Sequence, residues 1–434
     1  MLNRAIQPTV NPIDHIDIVQ AEKRMLSNGI PVYFVDAGTQ DVVKIDFVFE
    51  AGTWFQTKNL VASICNSMLE EGSQNYPASG IAEKFDFYGA YIQLVVDQNQ
   101  GFINVISLGK HLPAILDVTE DILKRPVFPE HEFQVLIAKN KQKFLFENEK
   151  VRTLCQKKFT QVMFGDAHPY AINNKLEDFD LISREDILQF YHSFYHSGNC
   201  QILVAGKVDP EYSGVLNLLD AYFGGDDWAS PSARGPILIP EYAICPDPQK
   251  RHWVEKANSI QSAIRVGKNW VPKTHSDYHA LSVLSTILGG YFGSRLMANI
   301  REDKGYTYGI GSFVLTLKKA SYLVISAEVG NENVEPTLTE IKAEMKKLQT
   351  DPVSDNELET VKSYLLGEFL RDFDGPFALA ASFKAINDFG LDYSFYDQYL
   401  KVLRNITGEE LMLLAKQYLN PEECYTVVAG SKEN

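Results

Sequence analysis

The chain of 434 residues contains two copies of one ordered pattern, and this repeat constrains the fold more than any other feature. Cys200–Gly206 (CQILVAG) matches Cys424–Gly430 (CYTVVAG), and the segments that begin at Ile182 and Ile406 match at the same spacing. Further pairs follow in the same order along the chain: Pro126–Val127 with Pro352–Val353, Phe144–Leu145 with Phe369–Leu370, and Val105–Ser107 with Val324–Ser326. Such an ordered series predicts an internal duplication in which each half folds as the same unit.

The duplication predicts two domains that are joined by a short connection. We expect an N-terminal domain over residues 1–224, a linker over 225–248 and a C-terminal domain over 249–434. The predicted linker is rich in proline: Pro231, Pro236, Pro240, Pro246 and Pro248. Proline at this density stiffens a chain and is atypical of a packed helix or strand.

Two kinds of hydrophobic periodicity occur within the halves. Val43–Phe49 and Tyr322–Ala327 are short runs typical of strands. Other apolar residues recur at helical spacing: Val334, Leu338, Ile341, Met345 and Leu348. Ser354 predicts the start of a further helix, where Glu357 completes a capping box. The fold class that follows is α+β: two homologous α/β sandwich domains, each an antiparallel-rich sheet with helices packed on one face.

Composition and charge exclude several classes of protein. Lysine and arginine number 41 against 56 aspartates and glutamates, a net charge of −15, which disfavours nucleic acid and anionic membranes as partners. Five cysteines without a close pair predict free, mostly buried thiols instead of a disulfide framework. No apolar run has the length of a signal peptide or a membrane span, so we expect a cytoplasmic protein.

One stretch of the second half carries a specific resemblance. Residues 293–308 read GSRLMANIREDKGYTY. Together with the two similar halves, this stretch resembles the pitrilysin (insulinase-like) metallopeptidases, above all the short-subunit branch that includes mitochondrial processing peptidase. The resemblance covers essentially the whole chain, and it implies a clam-like subunit that forms half of a peptide-enclosing chamber.

The resemblance also implies a zinc motif, H-x-x-E-H, in the first half. There two histidines bind zinc, and the glutamate is the general base for zinc-bound water. Alignment places Ser63 and Ser67 at the histidine positions and Asn66 at the position of the base, while the later carboxylate ligand falls in Lys139–Phe144, which has three lysines and no acid. Hydroxyls are poor zinc ligands, and asparagine has no titratable proton. We therefore expect neither a metal cofactor nor a catalytic residue in this chain.

Other side chains offer weaker metal sites. Glu70 and Glu71 are adjacent, so on a helix they diverge by about 100° and are more typical of a solvated helix end. Two histidine pairs have a spacing of four residues and could share a helix face: His192 with His196, and His275 with His279. Neither pair encloses a glutamate, so exposed or capping histidines are the simpler interpretation, and an unconventional metal site at His192 and His196 remains open.

The second-half stretch matches the family at an arginine and a tyrosine, Arg301 and Tyr308. In the family this pair lies across the chamber from zinc and binds the substrate backbone, and the tyrosine stabilises the oxyanion of the tetrahedral intermediate. We expect Arg301 and Tyr308 to bind substrate; the alternative is a helix-end arginine and a strand tyrosine with structural roles only. Leu288–Gly293 resembles the family's glycine-rich substrate loop, and a simple helix kink is its alternative.

These observations lead to one functional prediction and two alternatives. We expect a non-catalytic, substrate-binding subunit of a heterodimeric zinc metallopeptidase, with zinc in a homologous partner subunit and a peptide as substrate. A homodimer is possible when no partner is present. The alternatives are an inactive assembly or peptide-binding protein of the same fold, and a hydrolase with an unconventional metal site.

Overall fold

The computed structural model describes residues 16–211, 214–228 and 241–432. In these ranges no helix has both the length and the apolar character that a membrane span needs. The middle of the predicted linker, residues 229–240, lies outside the described residues. Two β-sheets organise the described chain, one in each half.

The first sheet is formed by residues of the N-terminal half. Its described strands are β1 (Glu22–Met25), β2 (Pro31–Asp36), β3 (Val42–Phe49), β4 (Tyr91–Val96), β5 (Gly101–Leu108) and β6 (Cys200–Gly206). Their order is β1-β2-β6-β3-β5-β4, and only the β2–β6 pair is parallel.

The second sheet repeats this topology. Its described strands are β7 (Arg251–Glu255), β8 (Gln261–Asn269), β9 (Thr307–Thr316), β10 (Ser321–Gly330) and β11 (Tyr425–Gly430). The order is β7-β11-β8-β10-β9, again with one parallel pair, β7–β11. Strand for strand, this matches β2-β6-β3-β5-β4 of the first sheet, so the two halves share one architecture, as the duplication predicts.

Helices pack on the faces of both sheets. Those of the first half are α1 (Val61–Met68), α2 (Ala78–Tyr88), α3 (Leu112–Lys124), α4 (Glu130–Asn148), α5 (Val151–Phe164), α6 (Asp178–Leu181), α7 (Arg184–Phe194) and α8 (Val215–Phe223). Those of the second half are α9 (Tyr278–Ser285), α10 (Val334–Thr350), α11 (Asp355–Asp372), α12 (Pro376–Asn387), α13 (Ser394–Asn405) and α14 (Gly408–Tyr418). The predicted fold class, α+β with a predominantly antiparallel sheet in each half, is confirmed.

Local sequence explains where the matched helices begin. Ser183 and Thr407 each close a complete capping box, in which the hydroxyl accepts from the backbone N–H of Asp186 or Glu410 at 3.3 and 3.2 Å. The two carboxylates bond back to the cap N–H groups at 2.9 Å. The predicted helix with Val334 at its start is α10, and its five apolar residues are buried.

The capping box predicted at Ser354 forms only in part. The Ser354 hydroxyl accepts from the Glu357 N–H at 3.4 Å, so α11 begins where expected. The Glu357 carboxylate, however, accepts two hydrogen bonds of 2.9 Å from the guanidinium of Arg295. A bidentate bond to a charged group is stronger than a bond to a neutral N–H, so the tertiary contact replaces the local one.

One helix of each half packs on the sheet of the other half. α12 packs on β2 and β6 of the first sheet, where Leu379 and Ala380 contact Val35 and Leu203. Its counterpart α5 packs on β8 and β11 of the second sheet, with the Cys155 thiol 3.3 Å from the Val427 carbonyl. The second face of each sheet is therefore covered in part, over β2 and β6 by α12 and over β8 and β11 by α5, and this reciprocal packing joins the two halves.

The described ends of the predicted linker lie against the first half. Trp228 is buried beside Phe49, and its indole N–H donates to the Tyr195 carbonyl at 3.2 Å. After the undescribed residues, the N–H of Cys245 donates to the Phe164 carbonyl at the end of α5 at 3.0 Å. The first core thus extends at least to Trp228.

Candidate functional site

The three positions aligned with the zinc motif lie on α1, which follows the central strand β3. Ser63 is exposed, and its hydroxyl donates to the Leu60 carbonyl at 3.0 Å. Asn66 is buried, with 1% of its surface exposed, and Ser67 is half-buried. The three side chains therefore point to different environments and do not converge on one point in solvent.

Asn66 is part of the core. Its Nδ2 donates to the Tyr195 hydroxyl at 3.1 Å and, over 3.4 Å, to the Phe102 carbonyl. Burial raises the pKa of the Tyr195 phenol well above its ordinary value, although the bond from Asn66 opposes this. A Cβ at Gly101 would lie 2.6 Å from the same hydroxyl, so glycine is needed there. The residue in place of the general base thus ties α1 to β5 and to the segment after α7.

Lysines lie on α4, which packs against α1 and carries the segment aligned with the carboxylate ligand. The Lys141 ammonium is 2.7 Å from the Asp180 carboxylate. Burial is the main cause of the raised pKa of the Glu70 carboxyl; its neighbour Glu71 adds to the rise, and Lys139 opposes it. Glu70 and Glu71 lie at the helix end, as expected, but both are half-buried and not fully solvated.

These donors do not suit a zinc ion. Zinc sites in proteins use thiolate, imidazole and carboxylate ligands, usually three or four of them. Around α1 the structure offers hydroxyls, an amide that already binds Tyr195, the ammonium groups of α4, and the adjacent carboxylates Glu70 and Glu71. The Cys65 thiol on α1 is buried, and burial raises its pKa well above the ordinary value. Throughout the described ranges, no group of three or more His, Cys, Asp or Glu could hold a metal ion.

Two π-helical turns shape the second-half stretch. The first, Thr286–Gly290, ends α9, and the second, Met297–Asp303, carries Arg301. Turns of this kind occur often at functional sites. Gly305, at φ +67°, then reverses the chain into β9, as expected for a residue that ends a helix.

Arg301 and Tyr308 come together at this reversal. The Arg301 Nε donates to the Tyr308 carbonyl at 3.1 Å, and the guanidinium lies 4.7 Å from the centre of the Phe292 ring. The Tyr308 side chain is 94% exposed, near the start of the edge strand β9. The arginine is thus held through its Nε, by the face of the Phe292 ring and by an ion pair of 3.8 Å with Glu302, while the phenol projects into solvent beside it.

The glycine-containing segment Leu288–Gly293 is built into the same region. A Cβ at Gly289 would lie 2.6 Å from the Ser312 nitrogen, so this glycine permits close contact with β9. The segment leaves the π-helical turn at Tyr291 in an extended conformation and leads to the exposed Phe292. A π-helical turn, not a simple kink, accounts for its shape, and its role as a substrate loop stays a prediction.

The histidine pairs do not share helix faces. His196 lies beyond the end of α7, and His275 precedes α9, where its Nδ1 accepts from the Asp277 N–H at 3.1 Å. His279 is buried, with its ring 4.3 Å from that of Phe395, so the expectation of an exposed or capping residue is wrong for His279. A metal site at His192 and His196 has no support in this geometry.

Two residues shape these sites in addition to those predicted from the sequence. Phe292 supports the guanidinium of Arg301, and its place in the segment that resembles the glycine-rich loop was the available signal. Tyr195 binds Asn66 from 129 residues away along the chain, and no local pattern indicates that contact.

Sequence profiles of one peptidase family match both halves. The profile described as "Insulinase (Peptidase family M16)" matches residues 32–168, and the profile described as "Peptidase M16 inactive domain" matches residues 181–365. The second match begins in the first half, before α7, and includes Arg301 and Tyr308.

Individual relatives extend the match over the whole chain. An "Uncharacterized zinc protease" of Rickettsia felis is 22% identical over 90% of this chain and 93% of its own. YmxG of Bacillus subtilis, also named as an uncharacterized zinc protease, is 21% identical over 93% and 97%. YmfF of the same organism, named "Probable inactive metalloprotease", is 22% identical over 56% and 55%.

Solved structures share the fold. A peptidase M16 inactive domain from Pseudomonas fluorescens superposes with a TM-score of 0.83 at 22% identity, covering 95% of this chain and 98% of that one. A protease from Helicobacter pylori superposes with a TM-score of 0.85 at 19% identity, covering 95% and 100%.

Proposed function

This chain belongs to the insulinase-like M16 peptidase family, and we propose that it is a non-catalytic, substrate-binding subunit of a heterodimeric zinc metallopeptidase. In this proposal Arg301 and Tyr308 bind the peptide substrate, and a homologous partner subunit supplies zinc and the general base. Descent from the branch that includes mitochondrial processing peptidase remains a prediction.

The observation that carries the proposal is the contrast between the two candidate sites. Arg301 and Tyr308 lie together at the surface with donors available, because the Arg301 guanidinium donates one hydrogen bond through Nε, has an ion pair of 3.8 Å with Glu302, and the Tyr308 phenol is 94% exposed. Donors aimed at an oxyanion can each contribute about 3 kcal/mol to transition-state stabilisation. Asn66, at the position of the base, is instead buried and donates to the Tyr195 hydroxyl and the Phe102 carbonyl.

The same contrast explains why the chain is proposed to be inactive alone. Water activation needs a metal or a base, and at the aligned positions α1 offers two hydroxyls and an amide. The name of YmfF, a probable inactive metalloprotease, is in line with this proposal, whereas other relatives are named zinc proteases. A partner with an intact H-x-x-E-H motif supplies what is missing here. The net charge of −15 favours basic peptides.

Co-expression tests the proposal. The chain is produced alone and together with a homologue from the same genome that has an intact H-x-x-E-H motif, and cleavage of a quenched fluorescent peptide library is measured. We expect activity only in the pair, and a loss of at least about tenfold in kcat/KM with Arg301→Ala or Tyr308→Phe.

Matched controls separate a role in the site from a general effect. Arg251→Ala removes an arginine that is 55% exposed on β7, at the opposite edge of the second sheet from β9, and Tyr88→Phe removes a hydroxyl of the first half. Both variants should keep the activity of the pair. A pair that keeps full activity with Arg301→Ala and Tyr308→Phe combined contradicts the proposal, and so does turnover by the isolated chain.

A further inference from the structure

A cavity of about 730 Å³ opens among the helices of the second half, between α9, α11, α12 and α13. α9 follows the central strand β8 as α1 follows β3, and α11 is the counterpart of α4 in the repeat. The cavity therefore occupies, in the second half, the place that the altered zinc motif occupies in the first. Its size lies within the range typical of small-molecule sites.

Aromatic rings form a large part of the wall, since seven of the twenty lining residues are Phe or Tyr. The lining includes Tyr278, Phe369, Phe373, Phe395, Tyr396 and Tyr399. These rings support each other: Phe369 stacks on Tyr399 at 5.6 Å, and Phe373 meets Tyr396 edge to face at 4.9 Å. Such mutual contacts fix the wall in place and offer flat apolar surfaces to a ligand with an aromatic or apolar body.

A lysine without an ion-pair partner lies at one end. The Lys273 ammonium donates to the Ala385 carbonyl at 2.6 Å and lies 5.0 and 5.2 Å from the ring centres of Phe389 and Phe395. It forms no salt bridge with any residue in the described ranges. An ammonium has three donors, so two remain without a strong acceptor among apolar rings, where an unpaired charge is costly.

Titration behaviour agrees with this geometry. Burial lowers the pKa of Lys273 to about 8, and the negative charge of Asp388 opposes the shift only in part. His279 lies next to it, and burial together with the Lys273 charge lowers the pKa of His279 to about 4, so the imidazole is neutral at pH 7. The lysine is thus the one group at this end that attracts an anion.

Negative charge gathers at the other end of the cavity. The phenol of Tyr399 lies close to Asp372 and Glu368, whose charges add to the rise in its pKa that burial causes. Glu368 is paired with Arg371. An anionic ligand is repelled from Asp372 and attracted to Lys273, so the cavity orients an anion towards one end.

We propose that this cavity binds a small aromatic carboxylate, whose carboxylate pairs with Lys273 and whose ring packs against Phe395 and Tyr399. Two sources supply this chemistry: a free aromatic acid, or the C-terminal residue of a peptide. The proposal does not depend on the role of Arg301 and Tyr308.

Calorimetric titration of the full chain tests the site, with N-acetyl-L-phenylalanine and its uncharged amide as the matched probes. At pH 7 we expect the acid to bind at least tenfold more tightly than the amide. Lys273→Met should abolish this discrimination, Lys273→Arg should retain most of it, and Lys346→Met, which removes an exposed lysine of the same half, should leave it unchanged.

A second readout reports on the charge itself. At pH 8.5, pairing with a carboxylate raises the pKa of the Lys273 ammonium, so binding should take up about 0.7 proton, measured from the heats in buffers of different ionisation enthalpy. A purely structural lysine does not produce this uptake.

The proposal is overturned if the acid and the amide bind equally, or if neither probe binds up to 10 mM (about the limit for such fragments). It is also overturned if folded Lys273→Met still prefers the acid to the amide. If Lys273→Met fails to fold by circular dichroism, the acid–amide comparison and proton uptake of the unaltered chain decide. A hexapeptide ending in phenylalanine that binds as a free acid, but not as an amide, assigns the site to peptide C-termini; binding of N-acetyl-L-phenylalanine without the peptide assigns it to free acids.

Discussion

Replacing Gly101 by alanine should destabilise the protein, and removing one hydroxyl should rescue it. The added Cβ would lie 2.6 Å from the Tyr195 hydroxyl but 3.4 Å from the ring carbon that bears it. Tyr195 is 2% exposed and packed between Phe49 and Tyr191, so the ring cannot withdraw. Overpacking of this kind costs about 1–3 kcal/mol in the free energy of unfolding.

Tyr195→Phe has a different cost. It removes the acceptor of the Asn66 amide and leaves that buried group with only the 3.4 Å contact to the Phe102 carbonyl. The loss is about 1–2 kcal/mol. In the double variant the hydroxyl is absent, so the new methyl group has room. The double variant should therefore be about as stable as Tyr195→Phe alone, a favourable coupling of about 1–3 kcal/mol.

Urea unfolding followed by tryptophan fluorescence and circular dichroism measures all four free energies. Gly309→Ala is the matched control, because Gly309 also lies in a strand and a Cβ there meets no atom within 4 Å. It should change stability by less than about 0.5 kcal/mol. If the losses in free energy of unfolding for Gly101→Ala and Tyr195→Phe add up in the double variant, the Tyr195 hydroxyl that binds Asn66 does not lie against Gly101, and the structural role of Asn66 is refuted.

Three further predictions concern other parts of the chain. Ser183→Ala and Thr407→Ala should each lower the free energy of unfolding by about 1 kcal/mol, and additively, because the caps lie in separate halves; strong coupling in urea titrations would contradict this. Because the pKa of His279 is lowered from 6.5 to about 4 in the folded protein, the unfolded chain binds the proton more readily, and the free energy of unfolding declines as the pH falls from 6.5 towards 4. Over that range the free energy of unfolding of His279→Phe should fall by up to about 3 kcal/mol less than that of the unaltered protein. Equal declines for the two proteins would refute this prediction. Only Cys245 of the five cysteines is exposed, so Ellman's reagent should modify one thiol rapidly in the native protein and five in denaturant, and fast reaction of a second native thiol would be inconsistent with the fold.

The two-domain architecture was predictable because the sequence repeat shows that both halves have the same order of elements. Matches such as Cys200–Gly206 with Cys424–Gly430 fall on β6 and β11, which occupy the same place in their sheets. The periodicity from Val334 likewise predicts α10, since an apolar stripe at helical spacing needs no knowledge of its partner. The reciprocal packing of α5 and α12 was not predictable, because a pattern shows that a face is buried and not which element covers it.

The sequence predicts which residues form the candidate site, but it does not predict which atoms they contact. Motif spacing identifies Arg301 and Tyr308, but the bond from Arg301 goes to the backbone of Tyr308, and that depends on the turn at Gly305. At Ser354 the capping box is incomplete because the Glu357 carboxylate bonds to Arg295, which lies 62 residues away in sequence. Long-range partners of this kind leave no local trace.

Metal analysis of the isolated chain tests the central claim most directly. The chain is expressed alone in zinc-supplemented medium, desalted, and analysed for zinc per polypeptide and for peptide turnover in the same preparation. The positions Ser63, Asn66 and Ser67 predict less than about 0.1 zinc per chain and no turnover, because hydroxyl and amide groups do not hold this ion. Zinc near one per chain that Ser67→Ala removes, or turnover that chelation abolishes, would contradict the account.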